Sequence, residues 1–141
     1  MKHLPLRPLL VLYAFHCLVG CNLLPGYQAP HVPAQQVTQL KSDSLEIMSK
    51  ATDPYPLHAL EAGALKNRLG AARDTEAKAK RNQAAIDLWA KMNDPAGGLL
   101  GGFLADWEKR GKVSSAFIPE KKDEVGAAFD TIAKSSQPAK K

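Results

Sequence analysis

The chain has 141 residues, 45% of them hydrophobic and 23% charged, with 19 Lys and Arg against 14 Asp and Glu. That length suits one small domain, and the balance is that of a folded globular chain rather than a disordered one. A net charge of +5 falls short of the dense basic face that nucleic-acid recognition demands, so no nucleic-acid partner is expected.

The chain opens on a short basic stretch with Lys2, His3 and Arg7, followed by an apolar run over residues 9–19 (LLVLYAFHCLV). Eleven residues are too few to span a bilayer, which takes roughly twenty, but they fit the apolar region of a secretory signal. The run ends Leu18-Val19-Gly20-Cys21. This resembles the lipobox of bacterial lipoprotein precursors: an aliphatic residue, a small or β-branched one, Gly or Ala, then Cys. The resemblance covers residues 1–21 only. It implies cleavage between Gly20 and Cys21, with the small Gly20 admitting the peptidase. It also implies that the Cys21 thiolate takes diacylglycerol and its freed amine a further acyl chain. Several chains on one residue anchor stably, at about 0.8 kcal/mol per buried methylene, without a membrane-spanning helix. Cys17 would leave with the signal, so the mature chain would hold neither a free thiol nor a disulfide and must be stable by its core alone. Asn22, rather than Asp, follows the cysteine. By the resemblance this favours the periplasmic face of the outer membrane over the inner membrane.

Residues 22–36 contain Pro25, Gly26, Pro30 and Pro33 and read as a flexible tether, with His31 solvated in it. From Val37 the spacing turns helical. Val37, Leu40, Leu45 and Met48 form a rough stripe, and Asp43 and Glu46 offer capping chemistry. Asp53-Pro54 breaks that helix and can start the next.

Residues 56–93 form the longest helical stretch. Leu57, Leu60, Ala64, Leu65, Leu69 and Ala72 step by threes and fours, and Ala85, Leu88, Trp89 and Met92 resume the stripe. Between them, residues 75–83 (TEAKAKRNQ) offer only alanines. Either one helix passes through solvent or two meet. The reading favoured here is a break within residues 70–74, since Gly70 weakens a helix and Asp74 and Thr75 are good caps.

Asn93-Asp94-Pro95 repeats the stop-and-start chemistry, and Leu99, Leu100, Phe103, Leu104 and Trp107 share one face of the next helix. Gly111 would cap it after Lys109 and Arg110. A loop runs through Ser114 and Ser115. Pro119 opens a last helix with Val125, Phe129 and Ile132 on one stripe. No alternating β-branched run or Asn-Gly hairpin is present, so strands are not expected. The expected fold is therefore all-α, a small bundle of four to five short helices. Its domains would be a signal over 1–20, lipidated Cys21 and tether over 21–36, the helical domain over 37–134, and a basic disordered tail over 135–141.

Three groups of residues are candidate sites. Glycine pairs flank apolar residues at Gly97, Gly98, Leu99, Leu100, Gly101, Gly102 and Phe103. They suit either close packing in the core or a partner-docking surface over Leu99 to Phe103. Arg73, Lys78, Lys80 and Arg81 form a basic stretch that suits anionic lipid, cell wall or an acidic partner. Its plainer reading is a solvated helix face, with Asp74–Lys78 and Glu76–Lys80 as i,i+4 pairs. Trp89, Trp107 and Tyr55 lie on apolar stripes and suit the core.

Nothing marks a catalyst. His58 reads as a surface residue at a helix start, and Asp123 and Glu124 face different sides of a helix. The sequence has no metal-ligand cluster, G-x-S-x-G or phosphate-binding glycine loop. No enzyme and no cofactor beyond the acyl chains is expected. The function this points to is an accessory or scaffolding lipoprotein of an envelope or secretion machine, holding a protein partner. In size and layout it is similar to secretion pilotins. Two alternatives stand beside it, an exclusion or immunity lipoprotein against phage, plasmid or toxin, and a cell-wall-binding structural module.

Overall fold

Val37, Leu40, Ser44, Ile47 and Met48 recur at helical spacing, and they are the buried residues of the first helix, α1 (Ala34–Ser49). The computed structural model describes residues 31–80 and 82–135. Over these the chain is all-α: after α1 come a 3₁₀ turn (Tyr55–Leu57), α2 (Ala59–Ala79), α3 (Gln83–Asn93), α4 (Leu100–Arg110) and α5 (Ile118–Ser135). Among the described residues there is no strand, and no helix is long and apolar enough to cross a membrane.

Ion pairs and hydrogen bonds record the topology. Asp43 meets Arg68 at 2.6 Å and Lys50 meets Glu61 at 2.7 Å, so α1 and α2 run antiparallel. Lys41 meets Asp130 at 2.6 Å, and Lys122 donates to Ser49 Oγ at 2.7 Å, so α1 and α5 are antiparallel too. A tight turn returns α3 along α2, and Trp89 of α3 meets Phe129 of α5 edge-on at 5.9 Å. Trp89, Trp107 and Phe129 are the largest fully buried side chains. Trp89 Nε1 has no hydrogen-bond partner among the described residues, so its contribution is that of a large apolar surface.

The helix boundaries differ from the sequence reading in four places, each for a local reason. α1 begins at Ala34 after Pro33, not at Val37, and Asp43 and Glu46 lie inside it, paired with Arg68 and Lys50 rather than capping. Asp53-Pro54 does end α1, but it leads into the 3₁₀ turn, and His58 stands at the N-cap of α2. α2 runs unbroken through Gly70, Asp74 and Thr75. The break lies at Lys80, which takes a left-handed conformation (φ 52°), and at Asn82, whose side chain accepts from the Ala85 amide at 3.2 Å. Gly97 and Gly98 lie in the turn before α4, not in a helix. Gly111 does cap α4, with φ 78° and its amide donating to the Trp107 carbonyl at 2.8 Å.

α2 stays helical through the polar window because Glu76 faces inward. Glu76 is 3% exposed, and its carboxylate accepts the backbone amide of Val32 at 2.8 Å. Val32 is itself 1% exposed, so the last residues of the proline-rich segment are pinned to the C-terminal turns of α2. Glu76→Ala should strand that buried amide, at a cost of about 1–3 kcal/mol. Glu76→Gln keeps an acceptor and should cost less. Amide exchange at Val32 checks this: equal protection in the alanine variant and the wild type would mean the bond holds nothing.

Candidate functional site

The Asp53-Pro54 break builds the most exposed apolar feature of the described chain. Pro54 and Pro56 stiffen the backbone into the 3₁₀ turn, which turns Tyr55 inward and Leu57 outward. The turn is bolted from behind. The Tyr55 amide donates to the Gly111 carbonyl at 2.9 Å, Val113 donates to Ala51 at 2.8 Å, and Trp107 Nε1 donates to the Asp53 carbonyl at 3.0 Å. The Tyr55 ring stands edge-on to Trp107 at 5.2 Å. Burial raises the Tyr55 pKa above its ordinary value, and the negative charge of Glu108 and a hydrogen bond to it add to the rise.

His58 follows the turn. Its ring lies 5.6 Å from Trp107, with Nε2 3.2 Å from Asp53 Oδ2 and Nδ1 3.7 Å from Glu61 Oε2. Lys50 bridges Glu61 at 2.7 Å and Glu46 at 3.1 Å, and its pKa is raised by those hydrogen bonds, Glu61 first. His58 is thus half-buried between two carboxylates, not the free surface residue expected from sequence.

On this braced corner Leu57 is 72% exposed and Leu60 is 92% exposed. Their spacing predicts instead that both lie on the apolar stripe with Leu65 and Leu69. The true core stripe of α2 is Ala62, Leu65, Leu69, Ala72 and Glu76, spaced three, four, three, four. At 100° per residue Leu60 lies roughly 200° from Ala62, on the opposite side of the helix, and Ala64 joins it there. The signal was present in the phase of the pattern. Burying two leucines against a partner would contribute about 1.5–3 kcal/mol each. Phe117, 39% exposed before α5, adds a third apolar side chain at the same end of the bundle. A groove of about 420 Å³ lined by Ser49, Thr52, Ser115, Ile118, Pro119, Lys122 and Asp123 also opens there.

The glycine-flanked segment is spent on the chain's own packing. Leu100 is 0% and Phe103 5% exposed, Gly101 is buried, and Leu99 packs against the core. A Cβ on Gly101 would lie 2.5 Å from the Asp94 carbonyl oxygen, and one on Gly102 would overlap the Gly97 carbonyl. These residues do not form an open docking surface, because the neighbour they approach is the backbone of the α3–α4 turn.

The basic stretch is solvent-facing at Arg73, Lys78 and Lys80, while Arg81 lies outside the described residues. Its ion pairs differ from those expected: Arg73 takes Asp74 at 2.8 Å, and Glu76 is turned inward to Val32. Trp89 and Trp107 are buried, as their stripes predict. Gly20, Cys21 and the lipobox also lie outside the described residues. Among the described residues no three His, Cys, Asp or Glu side chains are placed to hold a metal ion. Comparison with protein-family models, curated proteins and solved structures finds no match to this chain.

Proposed function

We propose that the chain is a bacterial envelope lipoprotein, anchored through acyl chains on Cys21, that acts without catalysis as an accessory or scaffolding component. The observation that carries this reading is the Leu18-Val19-Gly20-Cys21 box closing a short apolar run behind Lys2 and Arg7. The position of Val32 supports it. Only ten residues separate Cys21 from Val32, which is locked into the domain, so the domain lies within about 40 Å of its lipid. The periplasmic face of the outer membrane is the favoured location, on the ground of Asn22.

In this reading the domain meets a protein partner through the Leu57 and Leu60 corner. The corner sits at the end of α1 opposite Val32. Its fixed backbone spares a partner the cost of ordering it. A partner with a complementary apolar surface fits, its rim meeting the Asp53, Glu61 and Lys50 charges.

Cys21→Ala tests the anchor. The variant should lose palmitate labelling and the cleaved form, while a labelled, normally cut variant sinks the reading. Leu57→Asp with Leu60→Asp tests the corner. Both side chains are exposed, so the thermal midpoint should hold while a stoichiometric envelope partner, crosslinked in living cells, is lost. Undiminished crosslinking to that partner would remove the corner from the reading.

A further inference from the structure

The antiparallel pairings sort the helix ends into two groups. At one end lie Val32, the first turns of α1 and α3 and the last turns of α2 and α5. At the other lie the 3₁₀ turn, the start of α2 and the start of α5. The exposed apolar residues Leu57, Leu60 and Phe117 all belong to the second group.

The charges are sorted too. The first turns of α1 and α3 carry no acidic residue. The last turns of α2 and α5 carry Lys78 and Lys134, and Lys80 follows Lys78 at the end of α2. Among the described residues the acid within this end, Glu76, is buried and accepts the Val32 amide. Of the next acids along the helices, Asp43, Asp74 and Asp130 are paired with Arg68, Arg73 and Lys41, while Asp87 accepts from the neutral Gln83 amide group at 2.8 Å and keeps its charge. Two helix N-termini and two C-termini share the end, so their dipoles largely cancel and side chains set its sign. The opposite end mixes both signs, with Asp53, Glu61, Glu108, Glu120 and Asp123 among Lys50, Lys109, Arg110, Lys112, Lys121 and Lys122.

We infer that the Val32 end, through Lys78, Lys80 and Lys134, rests on an anionic lipid surface, which sets the Leu57 and Leu60 corner facing outward. This rests on the lipid anchor proposed above, which holds the domain within about 40 Å of the bilayer. One lipidated residue fixes a distance but no orientation. A few lysines next to an anionic leaflet add the orientation, each favouring contact by about fivefold within a Debye length of the surface. The same three lysines turned to glutamate should then shift that balance by a hundredfold or more, on the order of the product of the single effects.

The test uses the full lipidated protein reconstituted into vesicles of phosphatidylcholine alone or with phosphatidylglycerol. A dye is attached at Ala84→Cys, beside the start of α3, or at Ser115→Cys, at the opposite end; both sites are exposed. Quenching by headgroup-labelled lipid should be much stronger from Ala84 than from Ser115 on anionic vesicles. The difference should vanish on neutral vesicles, in high salt, and in the Lys78→Glu, Lys80→Glu, Lys134→Glu variant. Equal quenching at the two sites, or a difference indifferent to charge reversal, would overturn the inference. So would loss of binding to purified cell wall by that variant with its quenching on vesicles unchanged. Flotation with neutral vesicles reports the anchor separately: a protein that does not float has no acyl anchor, whatever its lysines do.

Discussion

Alanine at Gly102 should lower stability by about 3 kcal/mol, at the upper end of the range for overpacking. On a domain of this size that is a fall in thermal midpoint on the order of 15 °C. The cause is not the volume of a methyl group but what it would strike. The Cβ would overlap the Gly97 carbonyl, and at Gly101 the corresponding atom would lie 2.5 Å from the Asp94 oxygen and 2.6 Å from the Asn93 carbonyl carbon. Those are backbone atoms of the turn joining α3 to α4, which cannot rotate aside as a side chain does. Gly97 is also constrained, since a Cβ there would sit 3.0 Å from the Lys91 oxygen. The turn and the first coil of α4 therefore interlock through three glycines. Gly63 supplies the opposite case. It lies inside α2 with nothing within 4 Å of where a Cβ would stand. Gly63→Ala should raise stability by about 0.5–1 kcal/mol, because only the conformational freedom of the unfolded chain is lost. Differential scanning calorimetry of the two variants separates the effects by sign. An unchanged midpoint for Gly102→Ala would show that the turn yields freely and that the interlock does not matter.

The same segment shows what was legible in sequence and what was not. Two glycine pairs in a helical pattern announced that something approaches closely, since an unrewarded glycine in a helix costs about 1 kcal/mol. They could not say whether the neighbour was a partner or the chain itself, because that depends on how the preceding turn folds back. The all-α class and the buried tryptophans followed from apolar spacing, which reports facing directly, and the Gly111 cap from its place after Lys109 and Arg110. The break in the long stretch did not. Gly70 looked like the weak point, but a glycine costs little where its helix is held on both sides by Leu69 and Ala72 in the core. The deciding residue was Glu76, whose partner is a backbone amide 44 positions away. No local pattern reveals a carboxylate that is buried to hold a distant backbone amide, and so the sequence of this window reads as solvated. Asn82, the cap that starts α3, was legible in principle, since Asn ranks among the best N-caps.

Leu57 and Leu60 carry the opposite lesson. Counting apolar residues at steps of three and four merges two faces of α2 into one stripe, while tracking phase separates them. The inward face supplies the core. Leu60 on the outward face, and Leu57 on the 3₁₀ turn before it, stand in water at a corner stiffened by two prolines and three long-range hydrogen bonds. Stability alone gives no reason to hold exposed leucines so firmly. Firm display is what a docking surface needs, and under the proposed function that surface is this corner.

The keystone of that corner is Trp107, and its truncation should be the most damaging single change there. Trp107 is 0% exposed, and its ring meets Tyr55 at 5.2 Å and His58 at 5.6 Å. Its Nε1 holds the Asp53 carbonyl at 3.0 Å, across 54 positions of chain. Trp107→Ala should cost about 3–5 kcal/mol, the usual range for removing a buried tryptophan. Trp107→Phe keeps most of the packing and should lose mainly the hydrogen bond, about 1 kcal/mol or slightly more. The pair of variants separates the ring from the bond. Tyr55 offers a second readout. Its pKa is raised chiefly by burial, so the stability it contributes is present below about 10, the value for an unfolded tyrosine, and is lost as pH rises through the folded value. Opening the corner by Trp107→Ala should bring Tyr55 back towards its ordinary value, seen in a site-resolved titration, and flatten the alkaline limb of the stability profile. It should also weaken any partner crosslink that depends on Leu57 and Leu60, although neither leucine is changed. If the alanine variant melts as the wild type does, the corner is not braced by Trp107. If it melts early but the Tyr55 titration is unmoved, the lost stability comes from elsewhere in the core and the corner keeps its shape.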